Sequence, residues 1–443
     1  MTLALMVMTG SLLFALVFWN RPAVVLSAVV AVRILVPGMA EGFLTPVLHP
    51  AMYLLVAHTA VQAVFAWPRF LRALRAPGIV WMLTLLAVVS LMMLDGLNPY
   101  GRGLIGTAVV AFQIVLLPVL MFLLIRDEVR HRPSSLGWFV YPLLLVSVFE
   151  AVLAIVQVNV ERAIFWEDLL SNSWFLRGDQ ISRAVGTLGH GIQVGTLMSA
   201  ATVLTVFVRY VWLRFGLIVL FVYATLVAEA RAGLVVSLLG AVVVLLVSLV
   251  RRPIASAMWG TLAGGALLRV LNSEAGLALQ RKFVDDGSST QLRVIAAEWF
   301  LERWPEFSLV GYFGPRNLRE DGYLGSSLEN GYFIFGVSFG VLCAVLYLLL
   351  QLGTLLRAVT PRAGRGRSAA LAFAAVAMLV AGVGSSAFMA QGPDGFLFWA
   401  LCGMAYADAR HIRLGPTEPS AASERLSLAS GAVPSSQAAP VRP

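Results

Sequence analysis

About thirteen largely apolar stretches divide the chain, near residues 2 to 19, 23 to 38, 50 to 67, 78 to 94, 104 to 125, 136 to 157, 192 to 208, 211 to 228, 232 to 250, 254 to 271, 331 to 356, 369 to 389 and 395 to 408. Several exceed the ~18 uncharged residues that suffice for a helix to cross a bilayer. The pattern predicts an all-α polytopic integral membrane protein with 12 to 13 transmembrane helices. The first stretch lacks the basic start and small-residue cleavage site of a signal peptide, so it reads as a retained helix. One interval breaks the rhythm. Residues 272 to 330 are polar for most of their length, with Ser288, Ser289 and Thr290 reading as a helix-capping cluster ahead of an amphipathic helix that Pro305 ends.

Basic residues orient the bundle, because short cytoplasmic loops carry the excess of Arg and Lys. Arg69, Arg72 and Arg75, then Arg126, Arg130 and Arg132, then Arg209 and Arg214, Arg251 and Arg252, the cluster Arg357 to Arg367, and Arg410 with Arg413 all fall on one side. That side is the cytoplasm. The opposite loops are 95 to 103, 158 to 191, the turn Glu229 to Arg231, the long loop 272 to 330, and Ala390 to Gly395. The stretch 254 to 271 has to cross for this alternation to hold, although it contains three glycines and Arg269. The membrane domain therefore covers 1 to 413, with the long loop periplasmic. From 414 to 443 the Ser, Ala and Pro composition predicts a disordered cytoplasmic tail.

Composition agrees. Hydrophobic residues make up 59% and charged residues 12%, against about a quarter charged in soluble domains, and the mean hydropathy is +0.85. The net charge of +9 sits in small clusters between apolar runs, so it serves orientation and does not indicate nucleic acid. Cys343 and Cys402 both lie in apolar stretches and imply neither a disulfide framework nor a metal site.

A few residues carry candidate chemistry. Arg231 stands between two apolar runs with Glu229 as its charged neighbour. It reads either as an intrahairpin partner of Glu229 or as an anion clamp, for which the planar guanidinium is suited. Arg293 opens the amphipathic helix of the long loop, among Glu298, Glu302 and Arg303 that also suit a solvated face. Arg183 and His190 bracket a glycine-rich segment at the start of the 192 to 208 stretch. Glu329 immediately precedes an apolar run and reads either as a charge complementing a helix N-terminus or as a partly buried general base. Asp285 and Asp286 read as solvated loop residues. Near mid-membrane only Arg33 and Glu150 are ionisable, and they read as a transporter's functional groups or as a buried structural pair.

Four segments, RAVGTLGHGIQVGTLM at 183 to 198, EARAGLVVSLLG at 229 to 240, STQLRVIAAEWFLERWPEFSLVGYFG at 289 to 314 and LENGYFIFGVSFGVLCAVLYLL at 328 to 349, together resemble the O-antigen ligase and O-antigen polymerase superfamily of polysaccharide-assembly enzymes. The resemblance covers about residues 180 to 350 and rests on the order of short motifs. Where ligases carry His before Asn, this chain has Glu329 before Asn330. The resemblance implies a GT-C-like, inverting glycosyltransferase of the bacterial inner membrane, with its site on the periplasmic face and no cofactor or metal. It would take glycan from undecaprenyl diphosphate and pass it to an acceptor sugar hydroxyl. Arg183, Arg231 and Arg293 would hold the diphosphate, Glu329 would act as base, and His190, Asn330 and Tyr332 would line the site. Expected partners are the lipid-linked oligosaccharide donor, the acceptor glycan, membrane lipid and a chain-length regulator. Polymerase is the first reading. Transfer to lipid A-core as a ligase, and transport of lipid or polysaccharide, are the alternatives.

The topology is directly testable. A cysteine at position 288 should react with a membrane-impermeant thiol reagent in intact cells whose outer membrane is permeabilised. Labelling only after lysis would reverse the orientation.

Overall fold

The computed structural model describes residues 2–38, 48–75, 78–95, 103–170, 183–285, 287–311, 328, 330–359, 367–383 and 393–411. Among these the regular structure is helical, with no strand. Five helices are long and apolar enough to cross a membrane: Gly103–His131, Pro133–Val160, Arg231–Arg251, Pro253–Leu271 and Val341–Ala358. Seven shorter apolar helices accompany them, and the bent pair Pro50–Phe65 and Trp67–Leu74 adds a sixth candidate crossing. Every apolar stretch of the sequence becomes helix, including 254 to 271. The chain is a helical membrane protein.

We number the helices used below: α1 Thr2–Val17, α2 Pro22–Leu35, α3 Pro50–Phe65, α4 Trp67–Leu74, α5 Gly78–Ser90, α6 Gly103–Ala111, α7 Leu117–His131, α8 Leu136–Val160, α9 Glu167–Leu170, α10 Gly191–Leu204, α11 Val211–Val227, α12 Arg231–Arg251, α13 Pro253–Leu271, α14 Glu274–Asp285, α15 Gly287–Arg303, α16 Gly331–Phe339, α17 Val341–Val359, α18 Arg367–Val383 and α19 Pro393–His411. Proline sits at the first position of α2, α3 and α13, where its missing N–H has no helical partner to lose. The centre of the bundle packs α10 between α8, α11, α12 and α18, with α19 lying along α7. The outward faces of α1, α5, α12 and α13 expose Leu5, Leu85, Leu246 and Ile254, as a lipid-facing surface requires.

α10 and α12 approach closely through Gly195 and Gly233. A side chain at Gly233 would meet the Gly195 backbone at 2.8 Å. Ser199 on α10 donates to the Gly233 carbonyl at 2.9 Å, so small residues and a hydroxyl join these helices as they commonly do in lipid.

Three features depart from the sequence reading. The stretch 331 to 356, expected as one helix, breaks at Gly340, whose φ of +97° favours glycine. The Leu342 N–H freed by this break donates to the Ser308 carbonyl at 3.0 Å, so the return of the long loop satisfies the interrupted helix. A side chain at Gly311 would collide with the Ser338 backbone, which shows how closely the two segments lie. The long loop also holds a second helix, α14, and α15 begins at Gly287, so Ser288 to Thr290 lie inside its first turn and do not precede it. Finally, Arg126 and Arg214 of the basic clusters are buried. Arg126 Nη2 donates to the carbonyls of Ala73 and Arg75 at 3.0 and 2.9 Å, and Arg214 Nη2 to that of Val208 at 2.7 Å. These two arginines therefore close helix ends as well as setting orientation.

Candidate functional site

The glycine-rich segment following Arg183 is built into the wall of the bundle by α8. Glu150 and Gln157 are fully buried and seven residues apart, which places them on one helix face. The Gln157 amide pairs with both sides of Gly186: the Gly186 N–H donates to Gln157 Oε1 at 2.9 Å, and Gln157 Nε2 donates to the Gly186 carbonyl at 3.1 Å. Two turns earlier, Glu150 Oε2 accepts from the Thr187 N–H at 3.0 Å, and its Oε1 meets the Thr187 hydroxyl. That hydroxyl also lies 2.9 Å from the Ile34 carbonyl at the end of α2. Gly186 has φ +57°, and a Cβ there would fall on the Glu150 carboxyl, so both conformation and space call for glycine.

This anchorage carries the rest. The Ala184 N–H donates to the Val227 carbonyl at 3.1 Å, which ties the segment to the end of α11. A side chain at Gly191 would meet the Ala228 carbonyl at 2.5 Å and Arg183 Cδ at 3.3 Å. The start of α10 thus rests directly on the α11–α12 turn. Arg183 Nε comes to 4.0 Å from Glu229 Oε2, and Glu229 holds that turn with φ +52°. The sequence suggested Arg231 as the partner of Glu229, and the recorded pairing runs to Arg183. Arg231 is the first residue of α12, two positions beyond Glu229.

His190 caps α10. Its Nδ1 accepts from the Ile192 N–H at 3.1 Å, which fixes the neutral ring with its proton on Nε2. Burial, and after it the Arg183 guanidinium, hold the imidazole down at about 4. His49 caps α3 in the same way, accepting from the Ala51 N–H at 3.2 Å, and its Nε2 lies 3.1 Å from the Val36 carbonyl. Trp166 Nε1 donates to the Leu35 carbonyl at 3.0 Å. The C-terminal ends of α2, α8 and α11 therefore meet the N-terminal ends of α3, α10 and α12 at one end of the bundle.

The other sequence candidates lie elsewhere or play other parts. Arg293 is exposed on α15, which is anchored by Phe300 stacking on Phe333 of α16 at 4.3 Å. Asn330 is the N-cap of α16, its Oδ1 accepting from the Tyr332 and Phe333 N–H groups at 2.9 and 3.3 Å. The Tyr332 hydroxyl donates to Gln351 Oε1 at 2.7 Å and braces α16 against α17. Glu329 lies outside the described residues, as does Asp286. Glu150 is engaged by Thr187, so it anchors the loop, whereas the sequence had suggested Arg33 as its partner. Gln157, His49 and Trp166 were not singled out in the sequence. A polar residue seven positions after an intramembrane glutamate was the one available signal, and it points to a shared buried face. Cys343 and Cys402 are buried free thiols. No cluster of three or more His, Cys, Asp or Glu occurs among the described residues.

Chemically, two helix N-termini and two arginines border a single turn. Helix N-termini carry partial positive charge, and guanidinium forks match phosphate oxygens. The arrangement suits an anionic group. No family model matches the chain, and neither the curated proteins nor the solved structures provide a match.

The cap makes a pH prediction. His190 has a folded value of about 4 against 6.5 unperturbed, so the unfolded chain takes up its proton first as the pH falls. The stabilisation is whole above about 6.5 and is lost as the pH falls toward about 4. His190→Asn keeps a capping acceptor and does not titrate there, so its thermal-unfolding midpoint should fall less steeply with acid than the parent's. Parallel profiles would mean that His190 is not the group responsible.

Proposed function

We propose that this chain is a membrane-embedded glycosyltransferase of the bacterial inner membrane, a polysaccharide polymerase acting on its periplasmic face. Its donor is a glycan on undecaprenyl diphosphate and its acceptor a sugar hydroxyl. The observation that supports this most strongly is the meeting of Arg183 with the Glu229–Arg231 turn, where α10 and α12 both begin. These are two of the motifs on which the resemblance to polysaccharide polymerases and ligases rests.

In this reading the acceptor hydroxyl attacks the anomeric carbon from the face opposite the diphosphate, and the configuration inverts. The bond to the diphosphate oxygen breaks as the new glycosidic bond forms. Negative charge gathers on the leaving group, where Arg183, Arg231 and the two helix N-termini stabilise it in surroundings poor in water. Glu329, at the exit of the long loop, accepts the proton of the hydroxyl. Arg293 serves from the loop, and α14 and α15 form the GT-C-like cover of the site. Glu229 has a positioning role, since its carboxylate approaches Arg183 and holds the turn.

Deletion of the gene with complementation by variants tests this. Arg183→Lys and Arg231→Lys should fail nearly as completely as the alanine variants, because a point charge does not reproduce a bidentate fork. Glu329→Gln should insert normally and lose transfer by about a hundredfold or more, the scale general-base catalysis supplies. In each case cells should accumulate lipid-linked single repeats. Polymer made at the parental rate by the lysine and glutamine variants would contradict the assignment. Full-length lipid-linked polymer that fails to reach its acceptor would replace polymerase with ligase.

A further inference from the structure

At the opposite end of the bundle from Arg183, a small cavity opens between α2, α3, α4 and the last turns of α7. Three polar groups in its wall are buried without a hydrogen-bond partner: both ring nitrogens of His58, Gln62 Oε1 and Arg69 Nη1. His58 is fully buried and Gln62 nearly so, at 0% and 2% exposure. Gln62 turns its other end away, with Nε2 donating to the Trp19 carbonyl. Two carboxylates also line the cavity, but each is engaged elsewhere. Asp127 is held bidentately by Arg72 at 3.2 Å and approached by His131 at 3.2 Å, and Glu128 lies 3.6 Å from Arg132. The Arg69 nitrogen is thus left in want of an acceptor, and the oxygen of Gln62 in want of a donor.

The surroundings indicate where the missing partner comes from. α4 leaves α3 at a bend of 120° and is followed by an end that Arg126 closes. It exposes Trp67 and Leu71, and its arginines lie on the other face, the composition of a helix resting in the headgroup layer of a membrane. The cavity admits one water-sized group, about the size of a single phosphate oxygen. Water alone would satisfy the hydrogen bonds but would leave a buried guanidinium edge without countercharge.

We propose that this cavity is a binding site for a glycerophospholipid headgroup that carries a hydrogen-bond donor beside its phosphate. One phosphate oxygen enters between Arg69 and the His58 N–H. A headgroup hydroxyl or ammonium donates to Gln62 Oε1, and the acyl chains run along the exposed apolar surface. The proposal needs no part of the glycosyltransferase reading, since it uses the other end of the molecule.

Delipidated full-length protein in a neutral detergent can be titrated with short-chain phosphatidylglycerol, phosphatidylethanolamine and phosphatidylcholine, and separately with inorganic phosphate, with bound lipid counted by native mass spectrometry. The glycerol and ethanolamine lipids should bind about tenfold more tightly than the choline lipid, whose headgroup has no donor, the scale of one charge-assisted hydrogen bond. Arg69→Gln and His58→Leu should abolish that preference. Equal binding of the three lipids by the parent protein overturns the proposal without recourse to any variant. So does displacement of lipid by inorganic phosphate, which would make free phosphate the ligand. An unchanged preference in both variants would place lipid recognition elsewhere.

Discussion

The structure depends on one buried exchange of hydrogen bonds, that between the side chains of Glu150 and Gln157 and the backbone at Gly186 and Thr187. A non-helical segment inside an apolar bundle leaves peptide groups that water does not reach, and each left unpaired costs several kcal/mol in hydrocarbon. α8 supplies two polar side chains at the spacing that serves two consecutive residues. Once the segment is held there, Gly186 must be glycine, His190 falls at the start of α10, and Arg183 is carried to the turn between α11 and α12. Removing the anchor would release all three together, because none of the later contacts fixes the segment against α8.

A second instance of the same constraint lies at Gly340. The helix break frees backbone groups, and the Ser308 carbonyl takes one of them. The long polar loop is therefore joined to the bundle through backbone hydrogen bonding and through the aromatic stack of Phe300 on Phe333. This gives the loop a fixed floor. α16, at nine residues, rises about 14 Å, roughly half of a ~30 Å hydrocarbon core. Any displacement of the loop would act first on this half-helix, which begins at Asn330, the residue following Glu329.

Much of the fold was legible because membrane spans announce themselves by length and lack of charge, and each apolar stretch became helix. The exceptions have physical reasons. The break at Gly340 lies inside uninterrupted apolar sequence, where composition stays silent and only a long-range carbonyl shows why the helix can stop. α14 was missed because a short polar helix at the foot of α13 has no strong apolar periodicity to reveal it. At the site, the arginines and His190 were visible as unusual residues in apolar surroundings, but their relations were not. The pairing of Glu229 with Arg183 joins residues 46 positions apart, and a neighbour in sequence had been the natural partner to expect. Gln157 was invisible for the opposite reason, since an uncharged amide in a long helix raises no alarm until the backbone it serves is seen.

Backbone hydrogen exchange measures the central interaction most directly. If Glu150 and Gln157 hold the segment, the amides of Gly186 and Thr187 should exchange about as slowly as those of the middle of α8, and far more slowly than those of the exposed Ile164 and Phe165 just beyond that helix. Replacing both side chains by alanine should bring the two sets of rates together. Fast exchange at Gly186 and Thr187 in the parent protein, at the rate of Ile164 and Phe165, would contradict the account.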